Sequence, residues 1–224
     1  MKDEERRDGQ VKSVHVDVAG RVAPALQVAR MSAEKGRRLI LHMTVSMDGF
    51  AAHADGDLDW HAPDEAAMDN GGQRHRINLE LLGQIDLLVM GSGAYADFSR
   101  GWSGSDNPMA QYMNRLPKLV FSQSLETVDW HNASITRRPL EGEIAERKRE
   151  DGRDIVCFGG VRIAHSLIRE RLIDEYRLTV HPVMLGDGLS LMHGLPEPQR
   201  LVLISNTTYA DGTVSQVLRP MNLP

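Results

Sequence analysis

The strongest constraint on what this chain can fold into is the run Ile155-Val156-Cys157-Phe158-Gly159-Gly160-Val161-Arg162-Ile163-Ala164-His165-Ser166-Leu167. Its four leading apolar residues, three of them β-branched or aromatic, predict a buried strand. Val161, Ala164, Leu167 and Ile168 then follow the spacing of a helix face. Two adjacent glycines join strand to helix. Lacking side chains, they let a ligand approach the backbone, and the helix start presents unpaired N–H groups with a partial positive charge. A phosphate suits such a corner. A Gly-Gly turn that only packs a helix against a strand reads the same way.

Composition removes several function classes. A chain of 224 residues is long enough for one well-buried domain, or a domain with an appendage. A formal net charge of −5 gives no basic excess for nucleic acid, and no apolar run approaches membrane-spanning length. The single cysteine, Cys157, cannot form an internal disulfide, which predicts a reducing cytoplasm. The nine histidines lack HxH, HExxH or Cys-His spacing, so no metal site is expected.

Residues 1–36 are expected to be a poorly ordered extension of a domain spanning 37–224. They open with the charge run Met1-Lys2-Asp3-Glu4-Glu5-Arg6-Arg7-Asp8 and carry no signal-peptide core. Met31 is the expected natural start. N-terminal sequencing of the native protein checks this, and a peptide beginning before Met31 overturns it.

Leu39 to Ser46 predicts the first strand, followed by a turn at Asp48-Gly49 and an acidic loop from Asp55 to Trp60. That loop lacks the closing Glu of a calcium hand. A helix is expected from Pro63-Asp64-Glu65 towards Leu82, broken at Gly71-Gly72, where two glycines cost about 2 kcal/mol of helix propensity. Further strands are expected at Ile85–Met90, Lys118–Phe121, Ala133–Thr136 and Ile173–Val183. Helices are expected after Gly91, from Asn107-Pro108 through Met113, and on the surface from Leu140 to Arg149. Leu201–Tyr209 and Val214–Leu218 read as a closing hairpin. This order implies an α/β fold: a mostly parallel central sheet flanked by helices, with a C-terminal antiparallel hairpin.

Six motifs in order now carry a resemblance. They are Ser46-Met47-Asp48-Gly49-Phe50-Ala51-Ala52, the acidic loop ending in Asp59-Trp60, Gly91 to Tyr95, Phe121-Ser122, Phe158-Gly159-Gly160, and Ile173-Asp174-Glu175. The last runs on through His181-Pro182-Val183 to Gly186-Asp187-Gly188. Together they resemble the dihydrofolate-reductase-like family, typified by the reductase domain of the riboflavin-pathway bifunctional deaminase–reductase. The resemblance covers roughly Leu39 to Pro220.

It implies NADPH as cofactor and hydride transfer to a small heterocyclic, pteridine- or pyrimidine-like, or carbonyl substrate. Gly159 and Gly160, with the backbone of Val161 and Arg162, would hold the pyrophosphate. Ser122 would lie near the adenosine end, and the Asp48–Trp60 loop would cover nicotinamide and substrate as a lid. Where the family reads Gly-Arg-x-Thr-Tyr, this chain has Gly91-Ser92-Gly93-Ala94-Tyr95. The arginine implied to meet the 2′-phosphate is absent, so NADH is admitted alongside NADPH. Gly91, Ser92 and Gly93 remain candidate phosphate contacts, and Arg100, Arg137 and Arg162 are candidate substitutes for the lost charge.

Hydride transfer needs positioning and a proton source rather than a nucleophile. Asp48 and Glu65 are the candidate catalytic carboxylates, with Trp60 and Asp64 facing the substrate. Each has a plainer reading: Asp48 shapes a turn, Asp64 or Glu65 caps a helix, and Trp60 belongs to the core. His181 reads as a packed strand residue, Cys157 as buried and inert, and Asp174-Glu175 as structural. A reductase is thus the leading reading, and a degenerate nucleotide-binding or regulatory protein of the same fold is the alternative. The resemblance also implies a homodimer, which light scattering tests; a monomeric mass at micromolar concentration counts against it.

Overall fold

The computed structural model describes residues 36–61 and 72–221. Most of the N-terminal extension, with Met31, lies outside these residues, as do Pro63, Asp64 and Glu65. Strands run at β1 (Leu39–Ser46), β2 (Ile85–Gly91), β3 (Lys118–Phe121), β4 (Ala133–Thr136), β5 (Asp154–Phe158), β6 (Glu175–His181), β7 (Leu201–Thr208) and β8 (Val214–Pro220). Helices run at α1 (Gln73–Gly83), α2 (Ser92–Trp102), α3 (Pro108–Arg115), α4 (Leu140–Arg149) and α5 (Val161–Arg169).

The strands form one sheet in the order β4-β3-β2-β5-β1-β6-β8-β7. From β4 to β6 every pairing is parallel, and β8 and β7 close the edge in antiparallel fashion. The chain leaves β1 towards β2 but leaves β5 towards β6, so the two connections part in opposite directions. A crevice opens at the carboxyl ends of the strands where such a reversal occurs.

Alternation along β1 sends Leu39, Leu41, Met43 and Val45 to one face, where Ile144 of α4 and Ile163, Ala164 and Leu167 of α5 cover them. The opposite face packs Ile40, Leu88, Met90 and Val156 under Leu81 and Leu82 of α1, Tyr95 of α2, and Met109 and Met113 of α3. Each fully buried side chain of this size contributes about 1.5–3 kcal/mol. On that second face β1 changes character after Ile40, continuing with His42, Thr44 and Ser46. Among the described residues, no side chain of β6 or β8 joins the second cluster. The α1–α3 layer therefore stops short of the β6 side, and a polar strip of sheet is left beside it.

Local chemistry sets the element ends. Gly72 is the N-cap of α1, so the helix starts where the glycine pair was expected to break it. Asn107 caps α3 by accepting from the Ala110 N–H at 2.8 Å. The last parallel strand is shorter than the expected Ile173–Val183. At its start the Asp174 carboxylate accepts from the Leu39 N–H at 2.6 Å, and Pro182 at its end has no N–H for a ladder. Helix α4 is less superficial than expected, because Glu143 is buried between Arg138 at 3.0 Å and Arg147 at 2.8 Å.

Candidate active site

At the carboxyl ends of β2 and β5 two helices begin side by side. Gly91 precedes α2 and Gly160 precedes α5, and neither helix has a side-chain N-cap. Both glycines of the pair are left-handed, Gly159 at φ +78° and Gly160 at φ +85°. A Cβ on Gly160 would lie 3.2 Å from Ala94 Cβ and 3.8 Å from the Gly91 nitrogen; one on Gly159 would lie 2.8 Å from Phe98. The corner is thus made of backbone, with two sets of helix-start N–H groups converging on it. Such a pair of helix starts favours an anion.

The remaining expected cofactor residues surround this corner. Ser92 is half-buried in the first turn of α2, and Gly93 beside it is exposed. Arg162 is exposed in the first turn of α5, next to Val161. Ser122 follows β3, whose Phe121 is paired with Gly91, and its hydroxyl accepts from the Leu125 N–H at 2.9 Å. Of the candidate substitute arginines, Arg137 donates to the Leu125 carbonyl at 2.9 Å, and Arg100 is exposed 3.8 Å from Asp97.

The loop after β1 is clamped over its first half. Met47 N–H donates to the Val183 carbonyl at 2.8 Å, and Ala51 and Ala52 exchange hydrogen bonds with Leu189 at 2.9 and 2.8 Å. A Cβ on Gly188 would lie 2.3 Å from the Ala52 carbonyl oxygen, so a glycine is needed for this approach. Asp48 ties the two loops together. Its carboxylate accepts from the Ser46 hydroxyl at 2.6 Å, the Gly186 N–H at 2.8 Å and the Leu185 N–H at 3.2 Å. The Ser46 bond and then the Gly186 bond lower its pKa to about 2. At neutral pH it is an ionised staple.

Beyond the clamp, Trp60 and His61 fold onto the end of β6. Trp60 meets the His181 ring edge-on at 5.6 Å, and His61 stacks with His181 at 5.6 Å. His181, expected as a packed strand residue, is buried in this ring cluster. Trp60 Nε1 and His61 Nε2 are buried without a hydrogen-bond partner among the described residues.

The strip of sheet that the α1–α3 layer leaves uncovered forms a polar floor. Register places His42 beside Arg177, Thr44 beside Thr179 and Ser46 beside His181. Thr179 in turn hydrogen-bonds Ser215 of β8 at 3.0 Å. His42 stacks on Phe158 at 4.9 Å, so the floor begins one residue before Gly159. The His42 Nδ1 is buried and has no hydrogen-bond partner among the described residues. Burial, and secondarily the Arg177 charge, lower the His42 pKa to about 4, which leaves the ring neutral at pH 7.

On the same face as Arg177, at the start of β6 beside Ile40, the carboxylate of Glu175 is 1% exposed and meets three arginines: Arg177 at 2.8 Å, Arg38 at 2.8 Å and Arg219 at 2.8 Å. Cys157 is buried beneath the other face, and burial pushes its thiol up to about 12. Among the described residues no group of three His, Cys, Asp or Glu side chains could hold a metal ion. No described helix is long and apolar enough to cross a membrane.

Sequence reasoning did not reach His42, His61 or Arg177 as site residues. One signal was available for His42, a titratable residue at an alternate position of an otherwise apolar strand. Nothing in the sequence near Arg177 signals a site.

A profile of the RibD C-terminal domain matches residues 37–215. The chain belongs to the RibD C-terminal domain family. It is 29% identical over 190 residues to the uncharacterized protein YyaP of Bacillus subtilis (strain 168), covering 82% of this chain and 95% of that protein. To the uncharacterized YwjB of the same organism it is 28% identical over 167 residues, covering 75% of this chain and 89% of YwjB. Solved structures share the fold. A protein from Shewanella sp. PV-4, named for riboflavin biosynthesis, superposes with a TM-score of 0.67 at 24% identity, over 83% of this chain and 99% of its own. The deaminase/5-amino-6-(5-phosphoribosylamino)uracil reductase of Thermotoga maritima gives 0.60 at 14% identity, over 84% of this chain and 57% of its own.

Proposed function

We propose that this RibD C-terminal domain is an NAD(P)H-dependent reductase that transfers a hydride to a small heterocyclic, pteridine- or pyrimidine-like, or carbonyl substrate. The observation that carries the reading is the glycine corner, where two helix starts without side-chain caps converge at the carboxyl edge of the sheet. A dinucleotide pyrophosphate fits it, held by the N–H groups that follow Gly91 and Gly160, with Ser122 towards the adenosine end. Ser92 offers a hydroxyl where an arginine would meet a 2′-phosphate, so NADH is accommodated as well as NADPH. The bound dihydronicotinamide supplies the hydride.

The chain's own residues orient and enclose the reaction. Asp48 acts by position, holding the loop after β1 against Leu185 and Gly186. Trp60 and His61 cover the floor at His181 and exclude water, which strengthens polar contacts inside. The substrate lies on the floor between His42 and His181. Their positions are four residues apart along paired strands, a span of about 13 Å. Neutral His42 and His61 supply hydrogen bonds to its ring edge, and Asp64 and Glu65 remain the carboxylates proposed beside it.

A thermal-shift titration with NADPH and NADH in parallel tests the cofactor half. A ligand at a hundred times its dissociation constant stabilises by about 2.7 kcal/mol, which moves the midpoint of a domain this size by several degrees. A shift with either dinucleotide is expected, and silence with both overturns the reading. Ser92 and Ala94, standing where the resemblance implies arginine and threonine, favour a second reading: a nucleotide-binding or regulatory protein without turnover. Loss of dihydronicotinamide absorbance with a pteridine or pyrimidine substrate separates the two.

A further inference from the structure

The two glycines of the corner face one ridge of α2. Ala94 and Phe98 are four residues apart, so they stand one above the other on the same side of that helix. Long helical side chains lean towards the helix start, and the Phe98 ring accordingly reaches up to the corner. Its Cζ lies 2.8 Å from where a Gly159 Cβ would stand, and the Ala94 Cβ lies 3.2 Å from where a Gly160 Cβ would stand. Each glycine thus has an α2 side chain in the place of its own. From the α5 side, Ile163 comes within 3.2 Å of the same Gly160 position and 3.7 Å of the one at Gly91.

The ring that fills this space is itself held. Phe98 is half-buried, tilted against Phe158 at 5.9 Å and edge-on to Trp102 at 6.2 Å. Phe158 is fixed in turn by stacking on His42 at 4.9 Å. Tyr95 pins α2 against rolling: its hydroxyl donates to Asp129 at 2.8 Å and accepts from the Asp129 and Trp130 N–H groups at 2.9 and 3.2 Å. The glycine pair needs such a buttress. Gly159 and Gly160 are left-handed, and glycine leaves that conformation as readily as it adopts it. The aim of the α5 helix start depends on where those two peptides sit.

We propose that Phe98 is a positioning residue for the glycine corner. Its ring stands in for the side chain that Gly159 lacks, and it holds the turn so that the N–H groups of α5 aim at the same anion as those of α2. The inference rests on the reductase reading in taking that anion to be the pyrophosphate of the dinucleotide. Phe98 acts through Gly159 and needs no contact with the cofactor.

Backbone-amide NMR of the isotope-labelled full chain tests this, titrated separately with NADPH, NADH and inorganic pyrophosphate and read at Gly160 and Val161. Phe98→Leu removes the tip of the ring, and Phe98→Tyr adds an oxygen at the atom nearest Gly159. Both are expected to weaken dinucleotide binding about tenfold, the low end of what one charge-assisted hydrogen bond is worth. Affinity therefore peaks at phenylalanine, and two variants of opposite length guard against one that fails to fold. A role in packing alone lowers the melting temperature and leaves the affinity of the folded protein unchanged. Gly159→Ala is expected to cost about threefold less affinity in the Phe98→Leu background than in the wild type, because the new Cβ enters vacated space.

Unchanged dinucleotide affinity in folded Phe98→Leu and Phe98→Tyr overturns the assignment, as does a Gly159→Ala loss of the same size in both backgrounds. In either case NADPH binding to the wild type leaves the reductase reading standing. If pyrophosphate binds the wild type, weakens in Phe98→Leu, and neither dinucleotide binds, the positioning role holds and the reductase reading falls. If none of the three probes binds the wild type, both fall.

Discussion

The two ends of the cleft are built from different materials. The glycine corner at β2 and β5 is backbone: Gly159 and Gly160 in left-handed conformation, and helix starts with no side chain capping them. The floor at β1 and β6 is side chain: His42, Arg177, Thr179 and His181, bordered at the start of β6 by the Glu175 cluster and covered at His181 by Trp60 and His61. The corner offers the same N–H groups to any phosphate. The floor's chemistry changes with each substitution along two strands. A scaffold divided in this way keeps one dinucleotide cradle while the other end is free to select a different molecule.

Three substitutions break or sharpen this comparison. The largest effect is expected at Glu175→Gln. Removing a carboxylate that is 1% exposed leaves Arg38, Arg177 and Arg219 without their shared partner, and breaking a buried pair costs about 3–5 kcal/mol. Urea unfolding measures it, and a loss below about 1 kcal/mol would show that solvent screens the cluster. Burial by itself would raise the Glu175 pKa. The Arg177 hydrogen bond and charge outweigh that, with help from Arg219 and Arg38, and hold it below its ordinary 4.5. Its contribution is therefore present above pH 4.5 and lost as pH falls further, so Glu175→Gln removes part of the acid sensitivity of the wild type.

Gly159→Ala is the matching cut at the other end. A left-handed alanine costs about 1–2 kcal/mol, and its Cβ must also displace Phe98 from 2.8 Å. Dinucleotide affinity is expected to fall while the His42 ring resonances, at the other end of the cleft, stay where they are in the wild type. A change in both together would show that the two ends behave as one unit.

The smallest effect is expected at His42→Phe, which keeps the stacking on Phe158 and removes the unpaired Nδ1. Stability at pH 7 is expected to rise by about 1 kcal/mol. The wild-type ring titrates near 4 when folded against an ordinary 6.5, so the unfolded chain binds the extra proton between those values. Stability present above pH 6.5 is lost as pH falls towards 4, and His42→Phe flattens that slope. A variant that is no more stable at pH 7 would show that His42 finds a partner in solution.

Much of the fold was legible in the sequence because its signals are local. Asn107-Pro108 announces a helix start with its own cap, Gly71-Gly72 marks where a helix signal breaks, and apolar runs, alternating after Leu41 in β1 and continuous in β5, mark those strands. The errors lie where a distant group intervenes. The Leu140–Arg149 segment has the composition of a surface helix, yet Arg138 and Arg147 bury Glu143. The loop after Asp48 reads as a free lid, yet Gly188 and Leu189, more than a hundred residues away, clamp its first half.

The same division runs through the site. By itself the sequence determined the order of strands and helices and the glycine corner, because a strand, two glycines and a helix occupy adjacent positions and need no other part of the chain to be recognised. Only the tertiary structure decided that Asp48 is a staple, that His181 carries the Trp60–His61 cover, and that His42 meets Arg177. Those two residues are 135 positions apart. They become neighbours through the register of β1 against β6, and a shift of one residue would turn His42 into the apolar layer under α5.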